Sequence, residues 1–160
     1  EITDALQMML EEKNTVNFEM ITDYWKDTGT PDDILHANSE VLKNMQPYFH
    51  GVKENTVELT GNTMIGINST IDSTSKILGP CIIGENCIIG KNCTLGPNVS
   101  LGNNSKLANC SIQNSIIMEN CTIDSNIKIK DSILASNSSI TLNNNNEKVL
   151  LLGEGTKISL

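Results

Sequence analysis

The sequence predicts a mainly β protein, a parallel β-helix preceded by a shorter α/β segment. Three observations carry this. First, aliphatic residues recur at every sixth position: Ile65, Ile71, Ile77, Ile83, Ile89, Leu95, Leu101 and Leu107. A six-residue period fits neither an α-helix nor a two-faced strand; it is the repeat of a coil in which each hexapeptide forms one side of a triangle. Second, Gly follows the aliphatic at 66, 84, 90, 96 and 102, and Asn stands three places after it at 68, 86, 92, 98 and 104. Asn tolerates the left-handed backbone conformation and so suits a corner. Third, the composition divides the 160-residue chain sharply. All five aromatics (Phe18, Tyr24, Trp25, Tyr48, Phe49) and both histidines (His36, His50) fall in the first 50 residues, and Arg is absent throughout.

Taken in order, Ala5 to Glu12 is an amphipathic helix with Thr3 as its N-cap. Val16 to Ile21 alternates and predicts a strand. Residues 23–31 are dense in turn formers. Thr30 as N-cap, Pro31 at the first helical position and Asp32 and Asp33 in the first turn then start a second helix, which stops before Pro47. Two helices and one strand bury too little surface to close a core of their own. Residues 1–46 therefore read as the last third of an α/β domain, 47–56 as a linker and 57–160 as the β-helix.

Four places after each aliphatic comes a small residue: Ser69, Ser75, Cys81, Cys87, Cys93, Val99, Ser105. A narrow coil has room there for little else. The register slips after Leu107, resumes at Ile117, Ile123 and Ile129, and shifts again to Leu134 and Ile140. The span from 65 to 142 predicts about four coils of roughly 18 residues, each stabilised by its neighbours. The helix 31–45 is expected to cover one end of the stack and Lys148 to Leu160 the other, with Asn143 to Asn146 as a corner excursion.

Cys81, Cys87, Cys93 and Cys121 all take the small inward position, and only Cys110 falls out of phase. They are expected to be buried free thiols, which suits a reducing cytoplasm. The net charge is −8 and the pI is near 4.6, with scattered lysines. No basic stripe offers itself to a phosphate backbone, so nucleic acid is not an expected partner. No apolar run approaches a membrane span and no signal peptide is read at the start.

The run Glu1-Ile2-Thr3-Asp4-Ala5, followed by Trp25-Lys26-Asp27-Thr28-Gly29-Thr30-Pro31 and the helix from Asp33 to Asn38, resembles the sugar-1-phosphate nucleotidyltransferases. Within them it is most similar to the long form of glucose-1-phosphate thymidylyltransferase, which ends in a left-handed β-helix. The resemblance covers essentially the whole chain in domain order, and makes residues 1–46 the C-terminal remnant of the α/β nucleotidyltransferase domain. It implies attack of a sugar 1-phosphate on the α-phosphorus of a nucleoside triphosphate, giving dTDP-glucose and pyrophosphate. In such a reaction Mg²⁺ and basic groups neutralise charge gathering on the phosphates. It further implies that Asp27 is one of two acidic metal ligands, that Trp25 walls the sugar pocket, that Thr3 lies near that pocket and that Glu1 contacts sugar hydroxyls. The catalytic residues themselves are not identified.

The family's glycine-rich phosphate loop and the acidic partner of Asp27 are not present in these 160 residues, so the piece alone is expected to be inactive. UDP-, ADP- or GDP-sugar formation stands as an alternative. Another is a bifunctional enzyme whose coil transfers acetyl groups from acetyl-CoA. Residues 51–160 contain no His to serve as the base such chemistry wants, which weighs against that reading. A coil without chemistry of its own predicts a role in homo-oligomerisation, as a trimer.

Overall fold

The computed structural model describes residues 1–53, 57–141, 147–148, 151–152 and 157–159. Short parallel strands stack into a three-sided coil. One side carries seven strands, in the order Tyr48–Phe49, Thr63–Ile65, Cys81–Ile83, Val99–Leu101, Ser115–Ile117, Ile133–Leu134 and Leu151–Leu152. The strands Lys106–Gln113 and Thr122–Lys130 run round a corner and belong to the other two sides at once. The expected parallel β-helix is present, and it is longer than four coils. Tyr48–Phe49 and Val52–Lys53, inside the segment expected as linker, pair with Met64–Ile65 and Thr70–Ile71. Downstream, Lys157–Ser159 pairs with Ser139–Thr141. The expected excursion at 143–146 lies outside the described residues, as does part of the stretch 148–160.

The interior follows the sequence period. Ile65, Ile71, Ile77, Ile83, Ile89, Leu95, Leu101 and Leu107 are all buried. The corner asparagines 68, 86, 92, 98 and 104 have φ between 55° and 59°. Several form ladders between coils: the Asn68 amide donates to Asn86 Oδ1 at 3.2 Å, and that of Asn104 to Asn120 Oδ1 at 3.2 Å. The small inward positions are hydrogen-bonded. Ser69 Oγ donates to the Gly84 carbonyl at 2.6 Å and accepts from the Cys87 backbone N–H at 2.9 Å, and Ser75 does the same with Gly90 and Cys93. A buried hydroxyl is tolerable only when it is satisfied in this way.

The coil length explains the slip in the sequence pattern. Cys81 pairs with Val99, 18 positions on, but Val99 pairs with Ser115, 16 positions on, and Thr94 with Ser111, 17 positions on. Two sides of the coil shorten to five residues, and Ile112, wholly buried, takes the inward place between Leu107 and Ile117. Cys110 precedes Ile112 by two, as Cys93 precedes Leu95, so it is in phase and not out of it. All five cysteines are buried and free, as expected.

Outside the coil the structure departs from the sequence reading in three places. The first helix, α1, spans Ile2–Glu11, so Thr3 sits in its first turn and does not cap it. Val16 to Ile21 forms no strand, and Phe18, Met20 and Ile21 are exposed. Alternation marks a strand only where a neighbour completes the ladder, and no described strand pairs with it. The second helix, α2, spans Pro31–Asn44, with Thr30 Oγ1 accepting from the Asp33 N–H at 3.2 Å, as the cap signals predict. It does not close an end of the stack. Its buried Leu35, Ser39 and Leu42 face the seven-stranded side, where Ser100, on the fourth strand of seven, bonds to Asn38. The outward residue Met64 on that side is wholly buried. Among the described residues no helix is long and apolar enough to cross a membrane.

Candidate functional site

The segment from Tyr24 to Asp33 carries most of the residues expected to do chemistry. Its conformation is set by a clamp between its two ends. Lys26 Nζ lies 2.7 Å from Asp33 Oδ1, and the other carboxylate oxygen, Oδ2, accepts from the Thr30 hydroxyl at 2.6 Å. The hydrogen bond from Lys26 holds the Asp33 carboxyl below the usual carboxylate range, and the same bond raises the Lys26 ammonium. Because Asp33 lies in the first turn of α2, the clamp fixes the loop to the positive end of the helix. Tyr24 Oη approaches His36 Nδ1 at 3.3 Å, a second tie between loop and helix.

With 26 and 33 joined, Trp25 and Asp27 are left on the outside. Trp25 is 69% exposed and Asp27 is exposed. Gly29 sits beside Asp27; a Cβ there would lie 3.7 Å from Asp27 Oδ1. Glu1, the N-cap of α1, and Thr3, in its first turn, are exposed, and among the described residues no hydrogen bond or ion pair links α1 to this loop. Trp25 and Asp27 are therefore adjacent through the chain, while Glu1 and Thr3 are not joined to them. Among the described residues no cluster of three or more His, Cys, Asp or Glu could hold a metal. A single exposed carboxylate fits a hard cation that keeps most of its waters as one ligand of several, and does not make a site by itself.

The clamp residues Lys26 and Asp33 were not among the predicted site residues. Their signal was present, a Lys and an Asp flanking a turn-rich stretch, but spacing alone does not say that they meet.

A concavity also lies on the coil. Tyr48, His50, Gly66, Ile67, Ile82, Gly84, Glu85 and Asn103 line an open groove of about 380 Å³. Tyr48 and His50 stand with ring centroids 5.3 Å apart. The coil begins at Tyr48, so His50 belongs to it, and the expectation of a coil without histidine, drawn from a later boundary, is corrected. Asn103 Oδ1 is occupied by the Glu85 N–H at 2.8 Å.

Comparison with known proteins matches two separate stretches of the chain, and residues 45–76 fall in neither. Residues 1–44 match the family described as nucleotidyl transferase, and residues 77–159 match that described as the GMPPB C-terminal domain. Glucose-1-phosphate thymidylyltransferase from Streptomyces antibioticus is 33% identical over 84 residues, 52% of this chain and 23% of the relative. The bifunctional protein GlmU from Methanococcus vannielii is 43% identical over 65 residues, 41% of this chain and 16% of the relative. The chain thus spans about a quarter of the length, or less, of these curated relatives. Among solved structures, a variant of perosamine N-acetyltransferase from Caulobacter crescentus, with CoA and GDP-perosamine bound, superposes with a TM-score of 0.50 at 12% identity. That alignment covers 97% of this chain and 70% of the other, and the likeness is one of fold.

Proposed function

Because the chain belongs to the GMPPB C-terminal domain family, we propose that it is the C-terminal part of an enzyme that joins a sugar 1-phosphate to a nucleoside triphosphate, with release of pyrophosphate. The observation that carries this reading is the order of the two matches: a nucleotidyl transferase segment at 1–44, then the coil. The likeness to glucose-1-phosphate thymidylyltransferases favours dTTP and glucose 1-phosphate as the substrates and dTDP-glucose as the product. In this reading Trp25 offers an apolar face to the sugar, and the Lys26–Asp33 clamp holds the loop so that Asp27 projects from it. Asp27 would supply one ligand to Mg²⁺, which when bound neutralises phosphate charge. The exposed apolar side chains Leu6, Met9, Leu10, Phe18 and Ile21 are those expected to pack against the rest of the nucleotidyltransferase domain. A cytoplasmic setting and association through the coil, as a trimer, complete the proposal.

The test is pyrophosphate release from dTTP and glucose 1-phosphate by the polypeptide that includes the upstream domain. UTP, ATP and GTP serve as competitors. Asp27→Asn is expected to lower kcat/KM and to raise the Mg²⁺ concentration needed for half-maximal rate, while the 160-residue piece alone stays at the blank rate. An unchanged Mg²⁺ dependence in Asp27→Asn would remove Asp27 from the metal.

One observation favours a second reading, acetyl transfer on the coil. His50 and Glu85 line the same groove, a base and a carboxylate on a surface shared in fold with a sugar N-acetyltransferase. Incubation with acetyl-CoA and glucosamine 1-phosphate, following free CoA, tests it. Release that survives His50→Ala would place any such activity elsewhere.

A further inference from the structure

We propose that Cys93 and Cys110 form a dithiol site that a small oxidant, hydrogen peroxide or a low-molecular-weight disulfide, converts to a disulfide bridging two successive coils. Their sulfurs lie 4.0 Å apart in the buried interior. The flanking pairs Thr94 with Ser111 and Leu95 with Ile112 are in parallel register, which stacks the two cysteines directly. Adjacent strands put such residues about 4.8 Å apart at Cα, within the range a disulfide spans.

No other cysteine has such a neighbour. Cys81 pairs with Thr63 below and Val99 above. Cys87 and Cys121 alternate with Ser69, Ser105 and Ser138 in their column, and their thiols are turned to carbonyls, that of Gly102 at 3.2 Å and that of Ala135 at 3.3 Å. The pairing of Cys93 with Cys110 depends on the shortened coil. An unbroken 18-residue period would have put Ser111 over Cys93, whereas the 17-residue step brings Cys110 there.

The two thiols are chemically unequal. The hydrogen bond from Cys110 holds the Cys93 thiol below its usual range, and the same bond raises Cys110 well above it. Cys93 is therefore the member that ionises, with Cys110 as its donor. On the outside of this corner an open groove of about 120 Å³ is lined by Asn92, Asn109, Cys110 and Lys128. Cys110 lines that groove at 4% exposure and Cys93 lies behind it at 1%, so a small oxidant reaches the pair from this side as the corner opens.

With peroxide, the Cys93 thiolate attacks one oxygen and the O–O bond breaks. This leaves a sulfenic acid on Cys93 and, after protonation, one water. The Cys110 sulfur then attacks the Cys93 sulfur, the S–O bond breaks, and the hydroxide leaves with the Cys110 proton as the second water. Two thiols have lost two electrons and two protons, and one peroxide has taken them up.

The experiment uses the folded chain and a few-fold excess of hydrogen peroxide, with the product digested by trypsin under non-reducing conditions. The expected result is an intact mass lower by two hydrogens, reversed by a thiol reductant. Peptides 92–106 and 107–128 should be joined, with fragment spectra placing the link at Cys110 and not Cys121. Cys93→Ser and Cys110→Ser should each abolish the mass loss, and Cys81→Ser should not. Addition of oxygen without loss of hydrogen would overturn the proposal, as would a link through Cys81, Cys87 or Cys121. So would a native protein left unchanged by peroxide that oxidises the urea-unfolded chain.

Discussion

The Ser100 hydroxyl donates to Asn38 Oδ1 at 2.5 Å, and with that bond α2 is attached to the flank of the coil across 62 residues of sequence. The nitrogen of the same amide, Asn38 Nδ2, is buried without an acceptor. Among the described residues Ser100 is thus the one hydrogen-bond partner of a half-buried amide side chain. Since the loop bearing Trp25 and Asp27 is clamped to the start of α2, this contact fixes the direction in which that loop leaves the coil.

Ser100→Ala is accordingly expected to destabilise the chain by about 0.5–1.5 kcal/mol, the net contribution of one part-buried hydrogen bond. Denaturant unfolding followed by circular dichroism measures it. A loss below a few tenths of a kcal/mol would mean that α2 is held by Leu35 and Leu42 alone.

Gly96→Ala should be far more damaging. Gly96 has φ of +101°, and a Cβ built there would fall 1.7 Å from the Leu78 carbonyl oxygen of the adjacent coil. Neither backbone can yield without breaking the ladder, so a loss above ~3 kcal/mol, or failure to fold, is expected. Gly29→Ala, where the nearest atom would lie at an ordinary 3.7 Å, is the matching control and should unfold like the parent.

Ile112→Ala should cost about 2–5 kcal/mol, the same as Ile83→Ala, since both side chains are wholly buried in the coil. Equal thermal shifts for the two variants would show that the five-residue side is packed as tightly as the regular ones.

Stability should decline above pH 9. Burial pushes the Cys81 thiol from its usual 9.0 up to about 12, and burial also raises Cys87 and Cys121. In the unfolded chain these thiols ionise first, so the folded state is fully favoured below about pH 9 and loses that advantage as the pH rises toward 12. For Cys81 alone the loss approaches about 4 kcal/mol over that window, at 1.36 kcal/mol for each unit of pKa shift. Urea unfolding at pH 8, 9.5 and 10.5 should trace the decline, and Cys81→Ala should flatten it.

The coil was legible because Ile65 to Leu107 keeps one period and its asparagines sit where the backbone needs positive φ. Ile112 and Cys110 were missed because a fixed period of six cannot follow a side that drops a residue, and only strand pairing reveals the shorter step. The place of α2 could not be read from its sequence, since an apolar stripe names a buried face without saying what it faces. Val16 to Ile21 failed for the converse reason, a strand pattern whose partner no described strand provides. In the candidate site, Trp25 and Asp27 were singled out by their motif, and the structure shows both exposed on one loop. The Lys26–Asp33 clamp emerged only from geometry, and His50 was hidden by a domain boundary drawn nine residues after the coil begins.

A solenoid of identical coils has a weakness during folding, since any segment can dock one coil too high and still bury every aliphatic side chain. The pairings 99 with 115, 94 with 111 and 116 with 133 break that equivalence. A segment displaced by one coil across this region would arrive one or two residues out of step. A one-residue error turns the buried face of a strand outward. The unequal coils therefore act as an alignment key, leaving one assembly order in which every inward residue stays inside.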